Sequence, residues 1–241
     1  MADISLRVGA EMNLTLLFDA EPPDREWVVE QGFNFNRDRW KKLIPQQSAW
    51  PAELDACSMV GRWPYVDRRQ VFEVARRVGS GSDDPTGATQ LYVAAAVWGT
   101  GISALDVSRR IKVLKEPDVD VHLAAALKIL QVEGPVSAYR SLSIGGSHRV
   151  KNLGPAFFSK FLYFAGFDAK GYMQKPLILD QHVARSLNVF TNSEWSPAGP
   201  WSTEQYARYL DHVDDWASQW NTSHDVVERQ LFRLGYQMQN D

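Results

Sequence analysis

Cysteine is nearly absent from this 241-residue chain. A single Cys57 excludes a disulfide framework, a four-cysteine zinc site and an iron–sulfur cluster held by the chain's own thiolates. In "ELDACSMVG" it has no catalytic partner and reads as a small buried apolar residue. No apolar run reaches membrane-spanning length, and the start "MADISLRVGAEMN" has an early acid where a signal peptide needs an apolar stretch. A cytoplasmic protein is expected, nucleoid-associated if bacterial, with no membrane partner. There is no phosphate-loop signature and no hydrolase nucleophile motif. The five histidines are scattered, His122 and His148 lack partners at ligand spacing, and no metal or other cofactor is expected. Repeats, low-complexity tracts and an obvious interdomain linker are missing too. Strand signals are scarce.

Helical signals dominate what is present. "DRRQVFEVARRVGS" (Asp67 to Ser80) sets Val71, Val74, Ala75 and Val78 on one face and stops at glycine. "PTGATQLYVAAAVWGTG" (Pro85 to Gly101) is almost wholly apolar and reads as a buried central helix. "SALDVSRRIKVLK" opens at a Ser cap, "DVDVHLAAALKILQVEG" ends at Gly134, and "GPVSAYRSLSI" carries Pro135 near its first turn. "STEQYARYLDHVDDWASQWN" opens at a Ser/Thr cap, and "TSHDVVERQLFRLGYQ" has capping-box spacing at Thr222 and Asp225. The reading is an all-α globule of roughly nine or ten helices. "ISLRVGAEMNLTLLF" (Ile4 to Phe18) offers one short strand or an irregular start, and the first seventy residues are the least interpretable.

The net charge is −3, which argues weakly against nucleic acid. Its distribution argues the other way. Between Tyr139 and Arg185 seven basic residues (Arg140, Arg149, Lys151, Lys160, Lys170, Lys175, Arg185) face only Asp168 and Asp180. The segment is +5 and the rest of the chain −8. Such asymmetry points to an anionic partner, against the plainer reading of a solvated basic surface.

Within that segment, "VKNLGPAFFSKFLYFAGFDAKGYMQKPLILDQHVARSL" (Val150 to Leu187) reads as a tight glycine-rich connection, an aromatic helix, a loop and a second helix start. Gly145 and Gly146 end the preceding helix, and Gly154 and Pro155 open the next. Backbone N–H groups left open at such a helix start bind anions, phosphate above all, and Arg149 and Lys151 flank them. An ordinary helical hairpin with a charged turn would read the same way. Asp180 stands where an N-cap is wanted. A fixed carboxylate there could also stabilise the positive charge that develops on a sugar as its glycosidic bond breaks.

The stretches "LGPAFFSKFLYFAG" and "PLILDQHV" resemble the helix-hairpin-helix DNA glycosylases, and within them the 8-oxoguanine DNA glycosylase branch. "LYVAAAVWGTG" is similar to their buried helix. The resemblance implies an all-α helix-hairpin-helix glycosylase fold of two helical lobes with a cleft between them. The expected division is about 1–84 plus 188–241, and 85–187 with the hairpin. It makes Asp180 the catalytic carboxylate and Asn152, Leu153, Gly154 and Pro155 the phosphate-gripping hairpin, with Arg149, Lys151, His182 and Arg185 as further DNA contacts. Bifunctional members carry a lysine nucleophile two residues after the hairpin's second glycine, where this chain has Ala156. Lys160 lies one helical turn on, on the same face. Either Lys160 is the nucleophile or Asp180 activates water. Trp40, Trp98, Phe157, Phe158 and Tyr163 are candidates to line a base pocket.

The implied partner is double-stranded DNA carrying a damaged or modified base, an 8-oxoguanine-like purine, acted on by a monomer. Two other readings stay open. One is a glycosylase acting on a modified base in foreign phage DNA. The other is a non-catalytic hairpin module that only binds DNA.

Overall fold

The computed structural model describes residues 17–79, 85–169, 174–191 and 193–240. Residues 4–16 of the alternating start, and Lys170, lie outside them. The described residues hold eleven α-helices and one three-stranded sheet, so the protein is all-α in class. The chain forms two compact units, 29–176 and 1–28 with 177–241.

The larger unit begins with the part of the sequence that gave least away. β1 (Gly32–Asn34), β2 (Met59–Val60) and β3 (Trp63–Asp67) form a small antiparallel sheet in the order β1-β3-β2, with Phe33 opposite Val66 and Met59 opposite Pro64. Between β1 and β2 lie the short helix α2 (Arg37–Leu43), capped by Asn36, and two 3-10 turns. It follows α1 (Arg25–Val29), at the boundary of the units. Cys57 is buried beside the second 3-10 turn, and desolvation pushes its thiol up to about 11, as an inert packing residue requires.

β3 feeds directly into α3 (Arg68–Gly79), and α4 (Pro85–Thr100) follows. From Leu91 to Trp98 every residue of α4 is buried, which explains its all-round apolar sequence. α3, α6 (Val119–Glu133) and α8 (Pro155–Gly166) pack around it. α5 (Ala104–Val113) starts at Ser103, whose hydroxyl accepts the Asp106 amide. α7 (Pro135–Leu142) starts at Pro135. At the centre, Arg68 is fully buried. Its guanidinium lies 5.0 Å from both the Trp98 and Tyr163 rings and donates to the Gln31 side chain at 2.7 and 3.0 Å.

In the smaller unit α9 (Gln181–Phe190), α10 (Thr203–Gln219) and α11 (His224–Asn240) pack together. α10 opens with a full capping box, Ser202 with Gln205. α11 departs from the expected box. It begins at His224, so Ser223 precedes it instead of Thr222, and the Ser223 hydroxyl donates to the Asp225 carboxylate at 2.6 Å. Asp225 is fully buried and accepts from Arg25 at 2.9 Å. That tertiary partner fixes the start of α11 where local spacing alone pointed one residue earlier. Among the described residues no helix is long and apolar enough to cross a membrane.

Candidate active site

The hairpin of the larger unit is built between α7 and α8. α7 stops at Ser143, whose N–H reaches the Tyr139 and Arg140 carbonyls and whose hydroxyl donates to Tyr139 O at 2.8 Å. The chain reverses through Gly145, at φ +83, and Gly146. A Cβ on Gly146 would sit 2.3 Å from the Arg140 and Ser141 carbonyl oxygens, so only glycine fits there. His148 N–H then donates to Ser141 O at 2.9 Å. Val150 and Leu153 are buried and anchor the return, and the Tyr139 and Phe158 rings meet edge to face at 4.7 Å across it.

The tip carries the residues expected to meet phosphate. Asn152 adopts the left-handed conformation, φ +66, which asparagine tolerates better than most residues, and its side-chain amide donates to Glu116 at 2.7 Å. Gly154 caps α8 and Pro155 fills the first helical position. Among the described residues the amides of Gly154 and Ala156 have no hydrogen-bond acceptor, and a Cβ on Gly154 would meet nothing within 4 Å. A helix start with open amides and unobstructed backbone is an anion site in physical terms. Arg149 and Lys151 are exposed beside it, as is Arg140 at the end of α7. None of the three pairs with a carboxylate among the described residues.

Lys160 lies one turn into α8 and is only 5% exposed. Its ammonium group donates to the Ala156 carbonyl at 3.1 Å, so the two positions do share a face, and it lies 5.4 Å from the Phe157 ring centre. The Arg110 guanidinium of α5 lies 3.9 Å from the centre of that same ring. Arg110 Nε is buried without a partner, and desolvation lowers its proton affinity, opposed by Tyr92 and Asp106. Phe157 is half-buried. The other pocket candidates, Trp40, Trp98, Phe158 and Tyr163, are all buried in the unit's core, Trp98 and Tyr163 around Arg68.

The smaller unit positions Asp180. Leu177, Ile178 and Leu179 lead into it, all buried, and two buried tyrosines of α10 hold their backbone. Tyr206 OH donates to Leu177 O at 3.0 Å and Tyr209 OH to Ile178 O at 2.9 Å. Asp180 is 7% exposed and caps α9, its Oδ1 accepting the His182 and Val183 amides at 3.1 and 3.3 Å. The His182 ring packs against Phe232 and Tyr236 of α11, with centroids at 5.0 and 5.4 Å. Arg185 Nη1 lies 3.3 Å from His182 Nδ1 and donates to Gln239 at 2.7 Å. The cap predicted for Asp180 is therefore present, and a carboxylate so held cannot swing away.

Sequence reading left out three features of this region. Arg110 is a charged residue on an amphipathic helix, and nothing local marks its stack on Phe157. Gly99 is one glycine in "WGTG", and its neighbour Lys160 is remote in sequence. His122 and His148, which lack partners at ligand spacing in the sequence, bring their Nδ1 atoms to 3.4 Å. Among the described residues no group of three metal-ligating side chains occurs.

No curated protein and no solved structure matches the chain. A family model described as "Putative 8-oxoguanine DNA glycosylase OGG-like protein" matches residues 26–232, from α1 into α11 and across both units. The chain therefore belongs to the family of 8-oxoguanine DNA glycosylase OGG-like proteins.

Proposed function

We propose that the protein cleaves the N-glycosidic bond of an 8-oxoguanine-like purine in double-stranded DNA, using Asp180 and Lys160. The observation that carries this reading is that a chain of this family holds both a buried capped carboxylate and, on the helix that follows a phosphate-ready turn, a buried lysine. The segment from α7 to α8 acts as a helix-hairpin-helix. The open amides of Gly154 and Ala156 take a backbone phosphate, and Arg149 and Lys151 add sequence-independent attraction. His182 and Arg185 supply further phosphate contacts from α9.

The target base must leave the duplex stack before its sugar can be reached. Phe157, half-buried beside Lys160, is the ring in place to line the pocket that receives it. The Lys160 amine attacks C1′, the C1′–N bond breaks, and the base departs with the bonding pair. The proton lost by the amine nitrogen goes to the base. Opening of the sugar ring then breaks the C1′–O bond and leaves a protonated imine between C1′ and Lys160, the ring oxygen taking a proton from solvent water to become a hydroxyl. Asp180 opposes the positive charge that develops on the sugar along this path.

A lysine that served only as a surface phosphate contact would be solvated, whereas Lys160 is almost wholly buried. Burial also favours Lys160 over a water nucleophile, because the amine already occupies an enclosed position on the helix. The test is mass spectrometry of small molecules released from a duplex with one 8-oxoguanine. Free 8-oxoguanine supports the reading. Tight, salt-sensitive duplex binding with no free base would contradict it and leave a DNA-binding module.

A further inference from the structure

We propose that Gly99 is a positioning residue for the Lys160 amine, acting together with the Phe157 ring that Arg110 braces. The inference rests on the reading of Lys160 as nucleophile and deepens it.

Glycine inside a helix is less favourable than alanine, so Gly99 in the last turn of α4 calls for a packing reason. The reason is Lys160. A Cβ on Gly99 would lie 2.9 Å from Lys160 Cδ, 3.1 Å from Cε and 3.3 Å from Phe157 Cε1. The space that alanine would fill holds the end of the lysine stem. The adjoining wall is Phe157, whose ring carries the Arg110 guanidinium at 3.9 Å. Arg110's own backbone is tied down, since Tyr92 OH donates to its carbonyl at 3.1 Å. Three helices, α4, α5 and α8, thus form one slot with the Lys160 amine at its end, 3.1 Å from Ala156 O.

A free lysine stem explores many rotamers, and fixing it costs side-chain entropy. The slot meets that cost during folding. Attack at carbon requires the nitrogen within roughly 3–3.5 Å of C1′ along the right line, and a 1 Å misplacement can cost about 100-fold in rate. The neighbour that a new methyl would strike is a flexible stem, not backbone. The fold can therefore accept alanine cheaply, while the amine must move.

The experiment is borohydride trapping of the imine on a duplex with one abasic site, with peptide mapping of the adduct. The rate at saturating duplex and the half-saturating concentration are measured separately. In the wild type the adduct maps to Lys160. Gly99→Ala keeps the wild-type melting temperature or exceeds it and holds half-saturation within about twofold. Its trapping rate falls about 10- to 100-fold. Phe157→Leu, which adds no bulk, slows trapping as well. Trapping by Gly99→Ala at the wild-type rate overturns the proposal alone. So does a trapping loss in Gly99→Ala that merely follows a lower melting temperature while Phe157→Leu traps normally. A wild-type adduct that is missing, or maps elsewhere, overturns the Lys160 reading and this inference with it.

Discussion

Asp180 caps α9 and, in the proposed reaction, opposes charge on the sugar, two roles that substitutions can separate. Asparagine keeps a side-chain oxygen for the His182 and Val183 amides but carries no charge. Asp180→Asn should therefore melt close to the wild type and lose base release by about 100-fold or more, as removal of one preorganised electrostatic group does. Asp180→Ala loses the cap as well, at about 1 kcal/mol of stability. Thermal unfolding and single-turnover release from the two variants check the pair. The cap was legible because an N-cap is a local device, one residue and the amides just after it. Gly235 was not. A Cβ there would lie 1.9 Å from the His182 carbonyl and 3.0 Å from Ser186 Oγ, so α11 meets α9 through bare backbone. Gly235→Ala should destabilise the protein by about 1–3 kcal/mol, read from the urea midpoint. Nothing in "FRLGYQ" signals the partner helix.

For the elements, legibility follows how local the determinants are. α3 to α7 and α10 run close to their expected limits because caps, prolines and apolar spacing sit inside each segment. The sheet escaped notice because its strands are two to five residues long, too short for alternation to show. The pairing of β1 with β3 also joins residues more than thirty apart. α10 carries a pH-dependent feature of its own. His212 stacks on Trp216 at 5.5 Å and 14°, and burial lowers its pKa below the ordinary 6.5, against the pull of Asp215 and Asp211. The unfolded chain thus takes up the proton first as pH falls. His212's contribution is complete above 6.5 and is lost as pH drops through the lowered folded value. His212→Gln should flatten the fall in melting temperature as pH drops below the ordinary 6.5. An unchanged slope would show that other groups set it.

At the scale of the whole molecule, a net charge of −3 coexists with a family that acts on DNA. Distribution reconciles them. Arg140, Arg149 and Lys151 stand exposed at the turn between α7 and α8, without carboxylate partners among the described residues. The basic excess read from the sequence thus has a physical place, although Lys160, counted within it, is buried and does not add to that exposed surface. Serine at both Arg149 and Lys151 should lower the slope of log binding constant against log salt by about 2. The loss should be equal for damaged and undamaged duplexes, which titration at several salt concentrations would read. The all-α class, the turn between α7 and α8 and the Asp180 cap were visible in one sequence because each rests on a contiguous stretch. The slot around Lys160 was not, because it joins residues 99, 110, 157 and 160 from three helices.

Single-turnover release of 8-oxoguanine from a duplex with one lesion, followed for the wild type, Asp180→Asn and Lys160→Gln, tests the central claim most directly. The account predicts release by the wild type and release reduced by about 100-fold or more in both variants, each still binding the duplex. Release by Asp180→Asn at the wild-type rate, or none by the wild type, would contradict it.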